Sequence, residues 1–122
     1  MSSPVGPYSP AVRCGAWLVC SGQIGIEPGP DGPVLADGLE AQTRRAMTNV
    51  RALLNEHGLS LTDVAKTTVY LTDIADYARF NAVYVDALGS HRPARSLVAV
   101  AGLPMGALVE VEVWAYAGAQ EP

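Results

Sequence analysis

The sequence predicts a single α+β domain in which two helices cover one face of a sheet. Two stretches carry apolar residues at helical spacing, and at least four others are short runs of branched or alternating residues that are typical of strands. The chain has 122 residues, of which 49% are apolar. This size and composition favour one globular domain over residues 1–122.

The chain is expected to begin with two short strands, AVRC and WLVCSG. A tight turn between them places Cys14 opposite Trp17 and Cys20 opposite Ala11, which keeps the two sulfurs apart. We therefore expect two buried free thiols rather than a disulfide or a metal site. The Gly/Pro-rich stretch IEPGPDGPVL that follows is expected to be a surface loop.

The strongest helical pattern comes after this loop. Asp37 is expected to cap the helix, with Glu40 three residues further on, and Gly58 is expected to end it. Its apolar positions recur at helical spacing at Leu39, Ala46, Val50, Leu53 and Leu54.

A second helix is expected to start near Asp73 or Asp76 and to end before Gly89. The residues that form its apolar stripe are Tyr77, Phe80, Tyr84 and Leu88. Their spacing places them on one side of the helix, which we expect to be buried.

Three further strands are expected, at 64–71, 94–101 and 109–116. The last, VEVEVWAY, is the most informative because the side chains of a strand alternate between its two faces. Its valines share one face, on which we expect the helices to pack. The other face carries Glu110, Glu112, Trp114 and Tyr116. Aromatic side chains on an open sheet face predict an interface between copies of the chain.

Arg95 is a charged residue within an otherwise apolar strand, RPARSLVAV. A hairpin that turns between Gly102 and Leu103 places Arg95 opposite Glu110, although the proline and glycine that follow favour a longer loop. Two interpretations stay open. The pair is either a structural ion pair, or a site in which the guanidinium binds a ligand carboxylate and the glutamate orients or deprotonates a water.

Four other residues have two interpretations each. Tyr8, between two prolines, is either an ordered aromatic plug or a phenol that lines a pocket. Ser21 and Gly22 end an apolar strand, where glycine permits a ligand to approach the backbone or forms an ordinary bulge. Asn81 is either an amide satisfied by the neighbouring backbone or a ligand contact.

The composition argues against several partners. A net charge of −4 without a basic stripe disfavours nucleic acid. No apolar run reaches the roughly 20 residues that cross a bilayer, and the start of the chain lacks a signal-peptide pattern, so we expect no membrane partner and a cytoplasmic protein. His57 and His91 are too few and too far apart to predict a metal site, and no cofactor motif is present.

Five stretches in this order carry a resemblance to a known family: GPYSPAV, SGQIG, DVAKTTVYLTDIADYARFNAVY, PARSLVAVAGLP and VEVE. They resemble the Rid (reactive intermediate deaminase) or YjgF-like family from about Gly6 to Tyr116, and PARS followed by VEVE is the most specific part. The resemblance implies a chorismate-mutase-like mixed sheet with two helices on one face. It also implies a homotrimer with a ligand cleft between adjacent subunits.

The resemblance further implies roles for single residues. By position, Arg95 binds the carboxylate of a small imino acid and Glu110 handles the attacking water. The family's other pocket-lining positions are matched by Tyr8, Ser21, Gly22 and Asn81. Leu97 stands where the best-known branch has a cysteine. This difference is harmless if the position acts through its backbone carbonyl, and it changes the substrate preference if the position acts through its side chain.

The implied activity is hydrolysis of 2-imino acids or their enamine tautomers, such as 2-aminoacrylate and 2-iminopropionate, to 2-oxo acids and ammonia. The imine carbon is already electrophilic, so no cofactor is expected. Two alternatives stay open. One is a non-catalytic, regulatory protein of the same fold that binds small carboxylates, and the other is a hydrolase for a larger, pathway-specific imine.

Overall fold

The computed structural model describes residues 6–118, and this part of the chain contains eight strands and two α-helices. The strands are β1 (Ala11–Cys14), β2 (Trp17–Cys20), β3 (Gln23–Ile24), β4 (Ile26–Glu27), β5 (Val34–Leu35), β6 (Val64–Leu71), β7 (Ala94–Ala99) and β8 (Val109–Tyr116). The helices are α1 (Leu39–Glu56) and α2 (Tyr77–Leu88). The predicted α+β class is confirmed.

Six strands form one mixed sheet in the order β1-β2-β8-β6-β7, with β3 also paired to β8. Every pair is antiparallel except β6 and β7, which are parallel. A parallel pair needs a crossover connection, and α2 supplies it. The sheet therefore has β8 at its centre and β7 at one edge.

One face of the sheet, which we call the helix-covered face, forms the core. The residues of β8 from Val109 to Ala115 that point to it are at most 1% exposed. They lie in register with Thr67, Val69 and Leu71 of β6. This arrangement confirms that the valine face of the last strand seats the helices. The opposite face, which we call the open face, carries Glu110, Glu112, Trp114 and Tyr116.

The first helix does not begin as expected. Its N-cap is Gly38, with φ of 90°, and no side chain caps it. The chain enters the helix through a conformation that suits glycine, so Asp37 lies one residue too early to reach the first-turn N–H groups. The other end is as predicted, because α1 ends at Glu56 and Gly58 follows with φ of 75°.

The second helix follows a short 3-10 turn, Ile74–Asp76. The carboxylate of Asp73 caps this turn by accepting the N–H of Ala75 at 2.9 Å, and Gly89 follows the last turn. Both expected boundaries are confirmed. Tyr77, however, is 46% exposed, so it does not belong to the buried stripe.

Two other expectations need correction. The stretch predicted to be a loop contains a small hairpin in which β4 and β5 pair. Cys14 lies opposite Trp17 as predicted, but the thiol of Cys14 is exposed and only Cys20 is buried. The alternation of β1 places Cys14 on the open face, where no helix of the described chain covers it.

None of the helices within residues 6–118 is long and apolar enough to cross a membrane.

Gly25 is a position at which we predict a large loss of stability. A Cβ added there lies 2.5 Å from the Cα and the carbonyl oxygen of Gln42, and this contact is with helix backbone that cannot move aside. We expect Gly25→Ala to lower the free energy of unfolding by about 1–3 kcal/mol, measured by urea denaturation. Gly102→Ala is the control, because a Cβ there meets no atom within 4 Å. Equal effects of the two substitutions contradict this packing.

Candidate active site

Arg95 lies on the edge strand β7 and does not pair with Glu110. It is the neighbour of Thr67 on β6, whereas Glu110 on β8 is the neighbour of Tyr70. The pairing that a simple hairpin would give is therefore wrong, and the connection is the longer one that Pro104 and Gly106 favour. The connection from β7 to β8 passes around the end of β6, which lies between the two strands.

The guanidinium of Arg95 is held by neutral groups of α2. Its Nη1 donates to Oδ1 of Asn81 at 2.8 Å, and its Nη2 donates to the hydroxyl of Tyr77 at 3.3 Å. Its Cζ lies 5.0 Å from the ring centroid of Tyr84 and 5.9 Å from that of Phe80, within the range of cation–π attraction. No carboxylate among residues 6–118 forms an ion pair with it. Its charge is therefore free to pair with an anionic ligand.

A buried pair of hydroxyl groups supports this arrangement from the side of the core. Oγ1 of Thr67 lies 2.8 Å from the hydroxyl of Tyr84, which fixes the ring against which Arg95 packs. Tyr77 and Tyr84 were predicted to belong to the core stripe, and their contact with Arg95 was not predicted. Their spacing from Asn81, by four and three residues, was the signal that all three share one helix face.

Glu110 belongs to a second group of candidate residues, on the open face. A Cβ added to Gly22 lies 2.7 Å from Cδ and 2.8 Å from Cγ of Glu110, so only a glycine allows this carboxylate to lie where it does. Ser21 donates its hydroxyl to the carbonyl of Ser9 at 2.7 Å, and this bond fastens the segment that carries Tyr8. The phenol of Tyr8 is 47% exposed.

Burial raises the pKa of Glu110, and repulsion from the nearby Glu112 carboxylate raises the pKa further. The hydroxyl of Tyr70 donates to Glu112 at 3.2 Å. Burial, and next the charge of Glu112, raise the pKa of Tyr70 as well. A carboxyl group whose pKa is moved toward neutrality is suited to accept and return protons. Neither Tyr70 nor this role of Glu112 was predicted.

Within one chain the two groups of candidate residues do not meet. Arg95 points to the helix-covered face and Glu110 to the open face. Their strands are two positions apart in the sheet, which is about 10 Å, and their levels along the strands differ by three residues, about another 10 Å. The structure therefore brings Arg95 together with Asn81, and Glu110 together with Gly22, the residue after Ser21. It does not bring the two groups together.

Leu97 lies two residues after Arg95 on the same face. Its side chain is half-buried and packs against the hydrophobic core, beside its neighbour Val69 on β6. Within residues 6–118 no three His, Cys, Asp or Glu side chains lie close enough together to hold a metal ion.

The fold occurs in known proteins, and the chain matches several of them in sequence. The family model described as endoribonuclease L-PSP matches residues 1–117. A RutC family protein of Pyrococcus abyssi is 43% identical, over 93% of this chain and 88% of its own. Human 2-iminobutanoate/2-iminopropanoate deaminase is 38% identical over 93% of this chain and 82% of its own. The crystal structure of RidA from an Antarctic Psychrobacter superposes with a TM-score of 0.87 and 41% identity, over 93% and 91% of the two chains.

The fold and the free guanidinium define a candidate small-molecule site on an α+β scaffold. The matches are more specific: the chain belongs to the Rid (YjgF/RidA) family, as the resemblance indicated. Relatives with the name of imine deaminase occur in this family alongside others whose names give only the family.

The raised pKa of Glu110 leads to a prediction. Glu112→Gln removes a neighbouring negative charge and leaves Glu110 half-buried, so the pKa of Glu110 is expected to fall and to stay above its usual value of 4.5. A pH titration of the Glu110 carboxyl carbon by NMR measures it. Glu56→Gln, on the far end of α1, is the control and should leave that titration unchanged. An unchanged or higher pKa in Glu112→Gln contradicts the proposed cause.

Proposed function

We propose that the protein is a cofactor-independent enamine/imine deaminase that hydrolyses reactive 2-imino acids to 2-oxo acids and ammonia. The observation that carries this proposal is the free guanidinium of Arg95, held in place by Asn81 and Tyr77 without a carboxylate partner from the described chain. Such a group binds the carboxylate of an imino acid in a fixed orientation. The named deaminases among the relatives support it.

Glu110 supplies the proton chemistry in this proposal. Its carboxylate orients a water and accepts a proton as the water oxygen bonds to the imine carbon. This proton passes to the nitrogen and gives a carbinolamine. As the carbonyl forms, the carbinolamine hydroxyl gives up its proton, which is also transferred to the nitrogen, the C–N bond breaks, and ammonia leaves with both protons of the water. A raised pKa suits both steps, because the group must hold the proton between them. In this proposal Ser21 and Tyr8 hydrogen-bond the substrate, and Gly22 leaves room for the carboxylate of Glu110.

We further propose that the working form is a homotrimer in which Arg95 of one copy meets Glu110 of the next. The separation of these residues within one chain supports this assembly, since a single copy holds only half of the site. The open face supports it as well, because it exposes apolar side chains that a partner would bury. They are Val12, Trp17, Val98 and Trp114, each at least 37% exposed. The free edge of β7 lies beside Arg95, where a second copy can approach.

Leu97 is compatible with this function if its position acts through the backbone. Its side chain packs against the core and does not lie on the open face with Glu110. We therefore propose that the difference from cysteine leaves the chemistry intact.

A second candidate function is that of a carboxylate-binding regulator. It is supported by Arg95 with its partners Asn81 and Tyr77, because binding a carboxylate does not require Glu110. A ribonuclease role, which the description of the family model suggests, has less support because a net charge of −4 repels a phosphate backbone.

The deaminase proposal is tested with 2-aminoacrylate, generated from serine by a pyridoxal-dependent dehydratase, by following the release of pyruvate. We expect acceleration by the wild-type protein and a loss of about 10- to 100-fold in kcat/KM in Arg95→Ala, the effect of removing a charged hydrogen bond. Glu110→Gln is expected to lower kcat by about 10²-fold or more. Wild-type binding of 2-oxobutanoate that Arg95→Ala abolishes, without acceleration of any imine, would instead support the regulator.

Gly22 provides a separate prediction about the position of Glu110. Gly22→Ala forces the carboxylate away, so we expect kcat to fall by about tenfold or more while the thermal unfolding temperature changes little. Gly102→Ala, in open space, is the matched control. Unchanged kcat in Gly22→Ala shows that Glu110 does not act from its present position.

A further inference from the structure

A pocket of about 300 Å³ lies directly beside Arg95, between α2 and the start of β7. It is lined by Asn81, Tyr84, Val85, Arg92, Pro93 and Arg95. Its volume is at the lower end of the range for small-molecule sites. Two of its six lining residues are arginines and none is acidic, in a chain whose net charge is −4.

Arg92 is positioned by the end of α2. Its Nη1 donates to the carbonyl of Gly89 at 2.6 Å and to that of His91 at 2.9 Å. Carbonyls at a helix C-terminus attract a cation, and Pro93 restricts the backbone of the preceding residue to extended conformations. The arginine is therefore held at the pocket before any ligand binds.

The remaining donors of Arg92 have no partner in the described part of the chain. Only one of its three guanidinium nitrogens is used, and no carboxylate of residues 6–118 forms an ion pair with it. Arg95 donates to Asn81 and Tyr77, but it likewise forms no ion pair with a carboxylate of residues 6–118. Two positive charges that share a pocket without counter-charge repel each other and favour a ligand with two anionic groups.

We infer that this pocket selects 2-imino acids that carry a second carboxylate, such as the imines of aspartate and glutamate. This inference rests on the proposed function and names its substrate class. Arg95 binds the carboxylate next to the imine carbon, and Arg92 binds the carboxylate of the side chain. Water adds to the imine carbon, the nitrogen leaves as ammonia, and the product is a 2-oxo dicarboxylic acid. Both carboxylates are unchanged in the reaction, so no oxidant or reductant is needed.

In the test, amino-acid oxidases convert aspartate, glutamate and alanine to their imines in the assay mixture. Semicarbazide traps each imine, and the amount trapped is compared with and without the protein. We expect Arg92→Ala to lower kcat/KM for the two dicarboxylic imines by about tenfold or more and for the alanine imine by less than about twofold. Arg92→Lys should restore part of the loss. Arg13→Ala is the matched control, because Arg13 also donates to a carbonyl at a helix end, that of His57, and lies outside the pocket.

Binding supplies a readout that does not depend on turnover. By calorimetry the wild-type protein should bind 2-oxoglutarate more tightly than 2-oxobutanoate, and Arg92→Ala should abolish the difference. Equal affinities in the wild type, or an Arg92→Ala effect that is the same for both ligands, overturn the inference. Turnover of no imine, with the preference for the diacid intact, overturns the deaminase proposal and keeps the assignment of the pocket.

Discussion

The guanidinium of Arg95 is half-buried against three aromatic rings and an amide, without a carboxylate to neutralise it within the described chain. Much of the surrounding fold serves to hold it there. The parallel pairing of β7 with β6 places Arg95 beside Thr67, whose hydroxyl fixes Tyr84, and α2 supplies both Asn81 and Tyr77. A carboxylate from the same chain would be the simplest group to neutralise the charge of this guanidinium. No carboxylate of residues 6–118 neutralises it, so its charge is available to a ligand or to another molecule.

The same sheet keeps Glu110 away from Arg95. Because β6 lies between their strands and the two side chains point to opposite faces, no small movement of one chain joins them. The proposed assembly joins them between copies, and the exposed tryptophans of the open face fit that arrangement. Glu110 and Arg95 would then meet only after assembly, which prevents them from forming an unreactive ion pair inside the monomer.

The sequence predicted the elements better than their arrangement. The alternation of VEVEVWAY determined which residues of β8 are buried, and the spacing of apolar residues located both helices. The pairing of Arg95 with Glu110 was wrong, because chain order does not show that β6, an earlier strand, lies between β7 and β8. The predicted cap at Asp37 was wrong because the chain enters α1 through the positive φ of Gly38. This backbone conformation is set by the folded structure and is not visible in the sequence. Of the candidate site, the family pattern supplied Arg95, Glu110, Ser21, Gly22, Asn81, Leu97 and Tyr8. It did not supply Arg92, Tyr70 or Tyr84, whose contacts depend on tertiary packing.

Complementation between two inactive variants tests the central claim most directly. Arg95→Ala and Glu110→Gln are co-expressed, and the purified mixture is compared with each variant alone in the 2-aminoacrylate assay. If each cleft combines Arg95 of one copy with Glu110 of the next, random mixing leaves about one quarter of the clefts intact, since each partner is unaltered half of the time. We expect activity near that fraction of the wild-type value. A mixture no more active than the separate variants, in trimers shown by mass spectrometry to contain both chains, would contradict a site shared between copies.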